Sequence, residues 1–131
     1  MKITKHLVPV LLLVLLSSCT TTYYFVRHAE RLDSSADSPL SAAGNIRAQI
    51  LKDSLLNKGI DSIFATPYLR TQQTVQPLAG ALGEPVTIYG TDTTAMFVQA
   101  LKKVRGKELL VAGHSNTVPE MVLYMTGDTV V

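Results

Sequence analysis

The sequence predicts a three-layer α/β/α domain built on a mainly parallel sheet. Short runs of β-branched, aromatic and aliphatic residues alternate along the chain with longer segments of helical character. Strands that alternate with helices in this way pair in parallel, because each helix carries the chain back to where the next strand begins. The helices then cover both faces of the sheet. The third observation is the placement of the chemistry: Arg27-His28, Arg70 and His114 all stand at or just beyond the end of an apolar run.

The chain opens with a segment set apart from the fold. Met1-Lys2-Ile3-Thr4-Lys5 is basic, Leu7 to Leu16 is apolar, and Ser17-Ser18-Cys19 follows. An apolar run of this length is too short to cross a bilayer, which takes about 20 residues. Residues 1–18 therefore read as a signal peptide and residues 19–131 as the folded domain. A Cys placed just there, three positions after Leu16, resembles a bacterial lipobox, which implies cleavage before Cys19 and lipidation of that residue. The alternative is ordinary signal cleavage beside an incidental Cys.

The elements follow in order. Thr21 to Val26 predicts a strand, with no Gly or Pro to interrupt it. Arg31 to Pro39 is a polar loop. Ser41 is a suitable N-cap for a helix running to about Asn57, with Ile46, Ile50, Leu51 and Leu55 expected on its buried side and Gly59 as its stop. Ile60 to Ala65 predicts a second strand. Tyr68 to Leu82 predicts a second helix, kinked near Pro77 and ended by Gly83. Val86 to Tyr89 is a short third strand, and Asp92 or Thr93 can cap a helix to about Val104. Glu108 to Ala112 is mostly apolar, as a central parallel strand should be, and Val118 to Met125 predicts a last helix.

Charge excludes one class of partner. The 12 Lys and Arg residues exceed the 10 Asp and Glu, but Lys2 and Lys5 lie in the signal peptide, so the domain behind it is formally neutral. No broad basic patch points to nucleic acid. Cys19 is the single cysteine, so no disulfide can form within the chain, and an exported domain must rest on its core.

Three polar clusters share one structural address. Arg27-His28 follows the first strand, Thr66-Pro67-Tyr68-Leu69-Arg70 the second, and Gly113-His114-Ser115-Asn116 the fourth. In an open parallel sheet, ligands bind beyond the carboxyl ends of the strands. Two Arg and two His brought to that edge suit a phosphoryl dianion. Arg forks match phosphate oxygens, and an uncharged imidazole nitrogen can attack phosphorus.

These segments resemble those of the histidine phosphatase superfamily, with its phosphoglycerate-mutase-like fold. Arg27-His28-Ala29-Glu30 resembles the Arg-His-Gly signature, and Pro39-Leu40-Ser41-x-x-Gly44 the segment opening the first helix. Ala65-Thr66-Pro67-Tyr68-Leu69-Arg70-Thr71-Gln72-Gln73-Thr74 resembles the second Arg motif, and Gly113-His114-Ser115-Asn116 the second His motif. The likeness covers residues 22–125, and the small size is similar to the short phosphohistidine-phosphatase-like branch. It implies that His28 is the nucleophile and becomes phosphohistidine, that Arg27, Arg70 and His114 bind the phosphoryl oxygens, and that neither metal nor cofactor is needed. Asn116 and Arg31 are further candidate phosphate contacts. Three carboxylates compete for the role of general acid: Asp92 by spacing, Glu30 beside the nucleophile, and Glu84 in the turn before the third strand. Asp92 could equally be a helix N-cap, and Glu30 the salt-bridge partner of an Arg.

Two departures from the family pattern carry expectations. Ala29 replaces the usual Gly, which would be strained if the backbone there had positive φ. Family members usually continue with further strand beside the first strand, so this domain is expected to be short of the C-terminal strands. The strand bearing His28 would then be a bare edge, favouring reduced stability or a strand-mediated dimer. The expected function is hydrolysis of small phosphorylated substrates by a lipid-anchored protein of the bacterial cell envelope, at the periplasmic side or outer membrane. The alternative is a non-catalytic phosphate-binding lipoprotein or a degenerate pseudoenzyme.

Overall fold

The computed structural model describes residues 19–128, so the signal peptide read at 1–18 lies outside the described residues. Four strands alternate with four helices: β1 (Thr22–Arg27), α1 (Ala42–Leu55), β2 (Ser62–Ala65), α2 (Leu69–Leu82), β3 (Val86–Ile88), α3 (Thr94–Leu101), β4 (Glu108–Gly113) and α4 (Thr117–Thr126). A 3-10 turn (Thr91–Thr93) precedes α3. The sheet order is β1-β4-β2-β3, and every pairing is parallel. Among the described residues β1 pairs with β4 alone, so its outer edge carries no strand.

The alternation along β4 creates the two cores. Leu110 and Ala112 point into one cluster with Ile63, Ala65, Val75 and Leu78, beneath α1 and α2. Leu109 and Val111 point into the other with Val98, Leu101 and Met121, beneath α3 and α4. Each of these four β4 side chains is almost fully buried, as a strand paired on both edges and covered on both faces must be. The same alternation sends Tyr24 and Val26 of β1 to the first core and Tyr23 and Phe25 to the second, all only partly buried.

Helix ends form largely as their residues dictate. The Ser41 hydroxyl accepts from the Gly44 amide at 3.1 Å and caps α1. Gly83 closes α2 in the left-handed conformation, at φ 70°. Pro77 falls inside α2 without ending it.

Two local expectations are corrected. Ile46 and Ile50 are not on the buried side of α1; they are 64% and 57% exposed. Leu55 is buried and Leu51 packs against the core as expected, but Gly44 and Ala48 take the buried places in the earlier turns. The reason is close approach: the Cα of Gly44 lies against the Glu30 carbonyl, where a Cβ would collide with the oxygen. Small residues let α1 settle there, and the larger isoleucines are turned outward. The second correction concerns α3, which starts at Thr94 and ends at Leu101, short of Val104. Asp92 caps nothing. It lies within the 3-10 turn and is exposed.

Candidate active site

The parallel sheet brings the ends of all four strands to one edge, and a cavity of about 510 Å³ opens there. Arg27 and His28 reach it from β1, Tyr68 and Arg70 from the start of α2, and His114 and Asn116 from the turn after β4. Arg31 and Asp92 complete its rim.

His28 leaves β1 with its main chain still in the sheet, its N–H donating to the Gly113 carbonyl at 2.9 Å. Its ring Nδ1 lies 2.7 Å from the Ala29 carbonyl oxygen. A carbonyl only accepts, so Nδ1 carries the proton and Nε2 of the neutral ring carries the lone pair. Burial, joined by the charges of Arg70, Arg27 and Arg47, holds the His28 pKa below its ordinary value, against the opposing pull of the Ala29 carbonyl. The ring is therefore uncharged near neutral pH, the state in which an imidazole can attack phosphorus. Ala29 is buried and its N–H donates to the Thr74 hydroxyl at 2.8 Å. No non-glycine residue among those described has positive φ, so Ala in place of Gly costs no backbone strain here.

His114 is held more tightly. It is 8% exposed, and its N–H donates to the Thr117 hydroxyl at 2.9 Å. Its Nε2 lies 2.9 Å from the Thr66 hydroxyl, which lies 2.7 Å from that of Thr71. Thr71 in turn donates to a backbone carbonyl, that of Tyr68 at 2.8 Å or that of Thr66 at 3.1 Å. This chain of buried hydroxyls ends on a carbonyl, which sets its direction. Thr71 donates to the carbonyl, Thr66 donates to Thr71, and Nε2–H of His114 donates to Thr66. The ring's Nδ1 is then left as an acceptor facing the Arg70 guanidinium, 3.5 Å from Nη2. Burial, with the charges of Arg70, His28 and Arg27, lowers the His114 pKa to about 4. In the free protein His114 is therefore a neutral dipole, and the arginines carry the charge that faces a phosphoryl group.

Arg70 is positioned by two contacts besides the one to His114. Its Nη1 donates to the Ala36 carbonyl at 2.8 Å, and its guanidinium carbon stands 4.5 Å over the Tyr68 ring. Its Nε is buried without a partner among the described residues. The ring centroids of Tyr68 and His114 are 5.2 Å apart, and those of His28 and His114 5.4 Å. A tetrahedral dianion fits such a site: guanidinium donors on its oxygens, and an imidazole lone pair on a neighbouring wall.

The remaining candidates separate. Asp92 lines the cavity, and is exposed. Glu30 does not; it pairs with Arg47 at 3.0 Å and lines a smaller recess with Arg27, Arg31 and Arg47. Glu84 precedes β3 and so lies at the opposite end of the sheet. Asn116 precedes α4 but makes no capping bond with its side chain, which leaves it free to face the cavity. Among the described residues no cluster of three or more His, Cys, Asp or Glu could hold a metal ion. Sequence reasoning missed Glu120, a second carboxylate on the cavity wall, in the first turn of α4. Its signal was available: it stands one helical turn beyond the second His motif. It also missed Thr71, Thr74 and Thr117, whose hydroxyls orient the site from behind.

A family model described as histidine phosphatase superfamily (branch 1) matches residues 23–90. Among curated proteins, none matches the chain. Solved structures do. The protein histidine phosphatase SixA complexed with tungstate superposes with a TM-score of 0.66 at 22% identity, over 82% of this chain and 78% of that one. A phosphoserine phosphatase from Entamoeba histolytica, in complex with 3-phosphoglyceric acid, gives 0.66 at 14% identity, over 80% and 79%. A mycobacterial glucosyl-3-phosphoglycerate phosphatase gives 0.65 at 12% identity, over 76% of each. At these identities the likeness is one of fold.

Proposed function

The chain belongs to the histidine phosphatase superfamily, and from that premise we propose that it hydrolyses small phosphomonoesters or related phosphoryl groups through a phosphohistidine on His28. One observation carries this reading: the Ala29 carbonyl holds the Nδ1 proton of His28, so the lone pair on Nε2 is the one available, on the wall of a cavity that Arg27 and Arg70 also line. In the first step Nε2 forms a bond to phosphorus as the bond from phosphorus to the leaving oxygen breaks. The guanidinium groups hold the equatorial oxygens, so most of the acceleration comes from positioning and electrostatics. Asp92, which faces the cavity, delivers the proton to the leaving oxygen; a phosphoramidate or an acidic leaving group makes less demand on it. Water then attacks the phosphohistidine, releasing inorganic phosphate and restoring the free imidazole. A phosphoryl dianion lying between Arg70 and His114 raises the affinity of His114 for a proton, and Nδ1 then becomes a donor to the bound group.

The test is hydrolysis of a generic aryl phosphate by the purified full chain beside His28→Ala. Turnover by the wild type and its loss in the variant support the reading. Phosphate binding without turnover would replace it with the non-catalytic one.

Anchoring belongs to the same proposal. Cys19 is exposed and stands three residues before β1, which runs away from it toward the cavity. A lipid on Cys19 then places the site roughly 20 Å from the bilayer surface, at about 3.3 Å per strand residue. Incorporation of labelled fatty acid that persists in Cys19→Ser would refute this.

A further inference from the structure

The open edge of β1 raises a question at its most sensitive point. The N–H of Thr22 donates to the Lys107 carbonyl and that of His28 to the Gly113 carbonyl, each at 2.9 Å, so even-numbered residues of β1 turn their peptide groups toward β4. The carbonyl of Arg27 must then point to the other edge, where no strand lies among the described residues. Beyond it the chain leaves the sheet, and the carbonyl of His28 is turned outward as well. Arg47 meets both. Its Nη2 lies 3.0 Å from the Arg27 carbonyl oxygen and 2.5 Å from that of His28, while Nη1 lies 3.0 Å from Glu30 Oε1.

One guanidinium thus binds three residues of a four-residue stretch, Arg27, His28 and Glu30, and His28 is the nucleophile of the proposed reaction. The helix that delivers it cannot easily move. Gly44 packs its Cα against the Glu30 carbonyl, Ser41 N–H donates to that same oxygen at 2.8 Å, and Ala48 is 1% exposed. We propose that Arg47 is a positioning residue for the reaction: at the strand edge it supplies the donors that a neighbouring strand would supply, and so fixes where His28 presents its ring. Arg47 touches no substrate. Its contribution to stability is small, because its side chain is 45% exposed and water can replace it on the carbonyls. Its contribution to rate is larger, because displacement of a nucleophile by about 1 Å can cost 100-fold.

This inference rests on the phosphatase reading for its rate prediction but not for its structural one. The test uses the purified full chain, Arg47→Met and Arg47→Lys, with two readouts. The first is single-turnover phosphorylation of His28 by an aryl phosphate. Arg47→Met is expected to slow it about 10–100-fold with KM within about twofold, and Arg47→Lys to recover part of the loss. The second is the nitrogen NMR spectrum of the histidine rings in the free protein. The Nδ1–H tautomer of His28 is expected to give way to a mixture in Arg47→Met and to persist in Arg47→Lys. Wild-type rates in Arg47→Met would overturn the proposal, and so would a slow variant whose His28 ring spectrum is unaltered. If the wild-type chain shows no turnover, the function proposed above fails, while the ring spectra still decide the role of Arg47.

Discussion

The two histidines of the site stand at the ends of neighbouring parallel strands, yet they are held in opposite ways. His114 follows β4, which is paired on both edges, and its ring is locked from behind by the buried hydroxyls of Thr66 and Thr71. His28 follows β1, whose outer edge is open among the described residues, and its ring is steered by the neighbouring main-chain carbonyl. The difference suits the two tasks proposed for them. A group that only binds oxygens gains from rigidity in a dry wall. A group that must gain and lose a phosphoryl needs exposure on one side, and its order then comes from contacts to its backbone.

Breaking the edge side is expected to have the largest effect. Gly44→Ala places a methyl group against the Glu30 carbonyl and must push α1 outward. A loss of about 1–3 kcal/mol is expected in chemical denaturation, together with a fall in turnover as Arg47 moves with the helix. Wild-type stability in this variant would show that α1 is not seated on residue 30. Breaking the central side is expected to cost somewhat less. Thr66→Val keeps the shape but removes the hydroxyl partner of His114 Nε2, leaving a buried donor unpaired, at about 1–2 kcal/mol. Its signature is a loss of phosphate-analogue affinity greater than that in Arg47→Met. Equal losses in the two would erase the distinction drawn between the histidines.

The smallest effect is in pH dependence, where the signs can be worked out. Both rings have pKa values lowered by burial in the folded protein, His114 to about 4. The unfolded chain therefore takes up protons first as pH falls, and the stability contributed by keeping these rings neutral is complete above about pH 6.5 and lost below it. Melting temperature is expected to decline between about pH 6.5 and pH 4.5, and less steeply in His114→Gln. The lowered carboxyl groups of Asp33 and Asp61 act below that window, where they release stability only as pH falls under the ordinary Asp range. A flat melting profile down to pH 4.5 would remove the case for a neutral, buried His114.

Much of this site was legible from residue order alone. Strand ends are marked where apolar runs stop, so Arg27, His28, Arg70 and His114 could be assigned to one edge before any coordinates. Ser41 and Gly83 announced their caps through local backbone chemistry. The face of α1 was not legible, because Ile46 and Ile50 have helical spacing and greater apolarity, while close approach selects the small Gly44 and Ala48. Asp92 had spacing suited to two roles, and only the 3-10 turn separates them. Arg47 was invisible for a deeper reason: its partners are backbone carbonyls, and whether those are free depends on the strand order β1-β4-β2-β3, which no local pattern encodes.

The central claim is that Nε2 of His28 is the atom that accepts the phosphoryl group. Its most direct test is to quench the wild-type chain in alkali during turnover of an aryl phosphate and locate the phosphorylated residue by phosphorus NMR and peptide mass spectrometry. The account predicts an alkali-stable, acid-labile phosphohistidine on His28, bonded through Nε2 and absent in His28→Ala. Phosphate on His114 or on Nδ1 of His28, or turnover with no phosphohistidine at all, would contradict it.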